Sequence, residues 1–216
     1  MKIHNLKVEY DGHLALDVAE FVFDQEGITA ILGPNGSGKS TLLKALAGVI
    51  EVKEGQVEGR PEDMRYLPQK PYLFHRTVLQ NVMLTTKDKN RALAVLDELA
   101  VLDYQGKSVR KLSGGEAQRV ALARVMVDMP SVALLDEPAS AADVSGALII
   151  ERFLKKCAFE GTGVIMTTHN PAAALRIADH AVMMWGGRIV EQGKPKWLLT
   201  RPQTEMTRRY IESWRT

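Results

Sequence analysis

Residues 33–41 read Gly33-Pro34-Asn35-Gly36-Ser37-Gly38-Lys39-Ser40-Thr41. The spacing is G-x-x-x-x-G-K-[ST], the pattern of a phosphate-binding loop. The apolar run before it, Ile28-Thr29-Ala30-Ile31-Leu32, predicts a buried strand. Residues 41–47 after it predict a helix that stops at Gly48. Strand, glycine turn and helix start are the context the motif needs. The glycines let the backbone curl its N–H groups toward a polyphosphate. The helix N-terminus adds partial positive charge at the same point. In this pattern Lys39 reaches the β- and γ-phosphates, and the Ser40 hydroxyl ligates Mg²⁺. All nine residues, 33–41, are therefore expected at a nucleotide.

Working outward, residues 3–10 and 14–23 alternate as strands around the turn Asp11-Gly12, a hairpin leading into the loop strand. Short β segments follow around Gly55 and at Arg65-Tyr66-Leu67, the latter ending at Pro68-Gln69. From residue 70 the character changes. Leu93, Val95, Leu96, Leu99 and Leu102 carry helical spacing and predict a helix over 90–102. Ser113-Gly114-Gly115-Glu116 fits S-x-x-E, a capping box that opens a helix through about residue 127. Residues 131–135 predict a short strand ending in Asp136-Glu137, and 144–159 a helix. A further buried strand over 163–168 ends at His169, with Asn170 as N-cap and Pro171 at the first helical position. Gly186-Gly187 marks a second hairpin, and the basic tail from residue 195 is expected to be helical.

The expected fold is α/β. A P-loop NTPase core, a RecA-like parallel sheet with flanking helices, carries an antiparallel β subdomain and an inserted helical lobe. Residues 1–216 form one domain, with 1–69 and 119–216 as the core and 70–118 as the helical subdomain. A chain of 216 residues suits this. Net charge of +2 gives no case for a dominant nucleic-acid surface. A single cysteine, Cys157, excludes an internal disulfide framework and fits a reducing compartment. Met1-Lys2-Ile3-His4-Asn5 opens a strand-like segment instead of a signal peptide. No apolar run approaches the roughly 18 residues of a membrane span. Any membrane role is expected to come through a partner.

A second constellation narrows the kind of nucleotide machine. Val132-Ala133-Leu134-Leu135-Asp136 delivers an acid at a strand end, where the ligands of parallel sheets gather. Asp136 can hold Mg²⁺ through water, and the adjacent Glu137 can orient or deprotonate an attacking water.

With these residues in hand, the sequence resembles the ATP-binding cassette (ABC) family. Leu112-Ser113-Gly114-Gly115-Glu116-Ala117-Gln118 looks like the family's signature motif, and Leu135-Asp136-Glu137-Pro138 follows in the expected order. The resemblance covers essentially the whole chain. It implies a homodimer in which each ATP lies between one P-loop and the other copy's signature helix. Ser113, Gly114, Gly115 and Glu116 would then touch the nucleotide of the partner copy. It further implies that Tyr10 stacks on adenine, that Gln69 contacts Mg²⁺ and senses the γ-phosphate, and that His169 contacts the γ-phosphate. Ser140-Ala141-Ala142-Asp143 departs at Ala142 from the family's Ser-Ala-Leu-Asp, while Asp143 is retained. Gln25-Glu26-Gly27 departs from the usual Gly-Glu. Lys39, Gln69, Glu137 and His169 are the expected catalytic set, and Ser40, Gln69 and Asp136 the metal set.

One cassette without a span is similar to the separate ATPase subunit of an importer. Its implied partners are transmembrane permease subunits and, indirectly, an extracytoplasmic solute-binding protein. It would sit peripherally at the cytoplasmic face of the membrane. Residues 70–82, with Tyr72, Leu73 and Phe74, are expected to receive a permease helix. The run Tyr72-Leu73-Phe74-His75 with Thr77-Val78, residues 113–119 and Thr167-Thr168-His169-Asn170 also resembles tungstate-importer ATPases. At this length no added regulatory domain is expected. The alternatives are a cassette serving amino-acid uptake, export or cell division, and a soluble ABC ATPase acting on nucleic acid or ribosomes. A small P-loop kinase would not need residues 112–118.

Overall fold

The structure is a computed structural model and describes residues 1–214. Strands β1 (Lys2–Tyr10) and β2 (His13–Val22) form the expected hairpin. Asp11 and Gly12 both take positive φ, the geometry a two-residue turn between twisted strands requires. With β4 (Glu54–Glu58) they make a three-stranded antiparallel sheet in the order β2-β1-β4.

The main sheet has six strands. They are β3 (Ile28–Leu32), β5 (Arg65–Leu67), β6 (Val132–Asp136), β7 (Gly163–Thr167), β8 (His180–Trp185) and β9 (Arg188–Gly193). Their order is β5-β6-β7-β3-β8-β9, parallel except for β9. β3, β6 and β7 are fully buried, as their unbroken apolar runs require of strands covered on both faces.

Alternation along these strands feeds two cores. One face of the sheet packs Ile31, Leu134 and Ile165 against Leu42, Leu43 and Leu46 of α1 (Lys39–Ala47) and against the antiparallel sheet. The other face packs Ala30, Leu135 and Met166 against helices. These include α2 (Val78–Val82), α3 (Lys89–Glu98), α4 (Gly114–Met126) and α5 (Val144–Phe159). α6 (Pro171–Ile177), α7 (Pro195–Thr200) and α8 (Glu205–Glu212) contribute to the same core. Val78, Val82 and Leu96 of the middle region belong to this core too. α4 runs without a break through residues 118 and 119. The middle region thus shares its packing with the sheet instead of closing a core of its own.

The helix expected over 90–102 ends at Glu98. Ala100 takes a left-handed conformation, φ 52°. Val101 N–H donates to Leu96 O at 2.9 Å and Ala100 N–H to Asp97 O at 2.8 Å. This is the paired-bond C-terminal cap that usually employs glycine. Leu102 continues the apolar spacing from a separate short 3₁₀ turn, Leu102–Tyr104. The basic tail forms α7 and α8.

Candidate nucleotide site

Four neighbouring parallel strands, β5, β6, β7 and β3, end at one edge of the sheet. Just beyond those ends lie Gln69, Asp136 with Glu137, Thr167 with His169, and the loop from Gly33. Strand order alone therefore gathers residues that are up to 136 positions apart in sequence, from Gly33 to His169.

The loop is held tightly. Gly33 has φ 148°, and a Cβ there would collide with the Met184 carbonyl and lie 2.8 Å from Ser37 Oγ. Lys39 is 6% exposed. Its Nζ donates to Gly33 O at 2.8 Å and Pro34 O at 2.9 Å. Burial pushes the Lys39 ammonium below its ordinary value, with Glu137 and Asp136 pulling it back. Gly187 N–H donates to Ser37 O at 3.0 Å, tying the second hairpin to the loop. Residues 35–41 line a cavity of about 690 Å³ together with Leu14, Ala15, Gln69, Glu137, Gly186 and Gly187.

Register places the acids. Asp136 is the Cα partner of Thr167 across β6 and β7. Both side chains fall on the α1 face, so Asp136 meets Ser40. Ser40 Oγ donates to Asp136 Oδ1 at 3.0 Å, and Thr167 Oγ1 donates to the same oxygen at 2.6 Å. Asp136 is 2% exposed. Glu137 leaves the strand with φ 48°, a region a non-glycine residue enters at a cost. Its N–H donates to Thr167 Oγ1 at 2.9 Å. Its Oε2 accepts from Gln69 Nε2 at 3.2 Å, and His169 Nδ1 lies 3.2 Å from the same atom. Glu137, Gln69 and His169 are thus brought together around one carboxylate oxygen.

The remaining expected residues lie apart from the cavity lining. Tyr10 is 44% exposed at the end of β1, so it is no core tyrosine. Ser113 caps α4 with both halves of the expected box, Ser113 N–H to Glu116 Oε2 at 2.7 Å and Glu116 N–H to Ser113 Oγ at 3.3 Å. The Ser113 N–H holds the Glu116 carboxyl below its usual range. Gly114 and Gly115 lie against residues 141 and 142: a Cβ on Gly115 would come 3.1 Å from Ala141 O. Asp143 caps α5, its Oδ1 accepting from Gly146 N–H at 2.8 Å. Asp143 and His169 share a second cavity, of about 400 Å³, with Glu137 in the wall of both. The bidentate Arg176–Glu151 pair, at 2.6 and 2.7 Å, lines it as well.

Sequence reasoning missed Thr167, Gly186 and Gly187 at this site. The one signal for Thr167 was a hydroxyl at the end of an otherwise apolar strand. Tyr210 and Trp214, which reach His169 from the tail, carried no signal.

Among known proteins, the family model described as "ABC transporter" matches residues 16–140. The chain belongs to the ABC transporter family. The cassette is 30% identical to a probable amino-acid ABC transporter ATP-binding protein of Haemophilus influenzae, over 98% of this chain and 94% of that one. It is 35% identical to the tungstate uptake system ATP-binding protein of Peptoclostridium acidaminophilum, over 88% and 96%. It is 32% identical to the L-cystine transport system ATP-binding protein of Escherichia coli, over 99% and 98%. Among solved structures it is similar to cbiO1 of Clostridium perfringens, part of an ABC transporter complex. That match has a TM-score of 0.78 at 28% identity, covering 93% of this chain and 90% of that one. The ADP conformation of another ABC cassette matches at TM-score 0.80 and 23% identity over 97% of both chains, a likeness of fold. The P-loop NTPase fold expected from the sequence is therefore the fold of this cassette.

Proposed function

We propose that this cassette is the Mg²⁺-dependent ATP-hydrolysing subunit of an importer for a small solute. The observation that carries the reading is the convergence of Ser40, Asp136, Glu137, Gln69 and His169 beside the Lys39 loop. Loop amides and Lys39 bind the phosphates. Gln69 and His169 hold the Glu137 carboxylate in place, where it can take a proton from an attacking water. His169 can then donate toward the γ-phosphate. Positioning and charge stabilisation carry most of such a reaction.

The donor set suits Mg²⁺. Asp136 and the Ser40 and Thr167 hydroxyls are hard oxygen ligands. No cluster of three or more acidic, His or Cys residues among the described residues could cage a metal alone. That fits an ion that shares its shell with substrate phosphates. When bound, it would neutralise charge building on those phosphates.

The exposed Ser113–Glu116 helix start, away from the loop cavity, supports a homodimer in which each copy completes the other's ATP site. Tyr10 would stack on adenine, and Asp143 would meet the nucleotide across that interface. The relatives' names, ATP-binding proteins of transport and uptake systems, support permease subunits as partners; a solute-binding protein would act through these, with the cassette peripheral at the cytoplasmic face. No helix among the described residues is long and apolar enough to cross a membrane. Tyr72 and Phe74 are 64% and 46% exposed, which supports the segment after Gln69 as the permease dock. Leu73 between them is partly buried and packs against the core.

For the solute we propose tungstate or a related oxyanion, on the relative at 35% identity. An amino acid is the second reading, on the relatives covering 98% and 99% of the chain. The test is a pull-down from solubilised membranes with Glu137→Gln and Mg²⁺-ATP. Recovery of a multi-span permease is expected. Recovery of ribosomes or DNA instead would overturn the transport reading. Uptake by a deletion strain then separates tungstate from amino acids.

A further inference from the structure

The tail of the chain returns to the catalytic edge. α8 is fastened to β9, where Glu191 accepts from Gln203 N–H at 2.9 Å and from Thr204 N–H and Oγ1 at 3.0 Å each. Thr207, Tyr210 and Ile211 are buried beneath it. Tyr210, 4% exposed, donates its hydroxyl to His169 O at 2.8 Å. Burial pushes this hydroxyl up to about 12, so it stays a donor. Trp214 then lays its indole on the His169 imidazole, centroids 6.0 Å apart and planes 25° from parallel. The separation lies within the range of an offset stack.

His169 is half exposed and sits at the end of β7, with Glu137 at 3.2 Å as its ring's other contact. An imidazole in that position has free rotation about its side-chain bonds unless something fixes it. Tyr210 fixes its backbone and Trp214 fixes its ring plane. We propose that Tyr210 and Trp214 are positioning residues, a C-terminal strut that aims His169 at Glu137. The proposal rests on the ATPase reading above and adds two residues that act on the site through His169.

The test uses the full chain. Trp214 is 46% exposed, so losing its ring leaves the core intact. Trp214→Ala is expected to lower kcat for ATP about fivefold, the worth of one aromatic stack, with KM unchanged. Trp214→Phe should restore most of the rate. Trp197→Phe, on the exposed side of α7, serves as the control. A second readout needs no nucleotide. The chain has three tryptophans, so replacing Trp185 and Trp197 by Phe leaves Trp214 as the sole emitter. Its emission should then change on His169→Ala. Wild-type kcat in Trp214→Ala, or emission indifferent to His169→Ala, overturns the strut. A wild-type chain that hydrolyses no ATP overturns the ATPase reading instead, with the emission response intact.

Discussion

Thr167 shows how much one hydroxyl can organise. It donates to Asp136 Oδ1 and accepts from the Glu137 N–H, so one side chain fixes two successive acids. Thr167→Ala leaves the part-buried Glu137 amide without its acceptor and the buried Asp136 carboxylate with only the Ser40 donor. The expected cost is about 2 kcal/mol in urea denaturation, together with a lower kcat. Thr167→Ser should recover both. Unchanged stability and turnover in the alanine variant would remove Thr167 from the site. Glu137→Gln keeps the shape of the side chain and removes its basicity. Turnover should fall by at least about 100-fold in a phosphate-release assay while ATP binding persists. At this scale the sequence was informative wherever chemistry follows a local pattern: Lys39 and Ser40 are named by their loop, Asp136 and Glu137 by their strand end. Thr167 was hidden because its role depends on a register partner 31 residues away.

Elements follow the same logic. The capped starts at Ser113 and Asn170 and the stop at Gly48 were legible, because caps are local and their residue types are few. The end of α3 was not. Its cap employs Ala100 at positive φ, and alanine gives no stop signal. Ala100→Gly should therefore stabilise the protein by about 1 kcal/mol, raising Tm by about 2–4 °C in calorimetry. A lower Tm would contradict that description of the cap. At the start of α4, Gly115 lets the helix lie against residues 141 and 142. Gly115→Ala must push that loop aside by a few tenths of an ångström. ATP turnover is expected to drop with little change in Tm, since both segments are at the surface. Full activity would show that this close approach serves packing alone.

For the molecule as a whole, the sheet is the shared wall of two cores, and both parts of the site hang from one of its edges. The strand order that makes this edge could be anticipated as a P-loop fold, but the shared core beneath the middle region could not. There α2 and α3 pack on α4, and α4 packs on β5, across tens of residues. Nor could the return of α8 to His169 be foreseen, since Tyr210 lies 41 residues downstream of its partner. Within one chain, the Ser113–Glu116 helix start is absent from the lining of the phosphate-loop cavity. The proposed function has a second copy complete each ATP site. Light scattering on the purified Glu137→Gln chain with Mg²⁺-ATP tests this most directly. A mass twice that of the monomer, lost when Ser113 and Gly115 are also replaced, is the predicted result. A monomer at saturating ATP would contradict it.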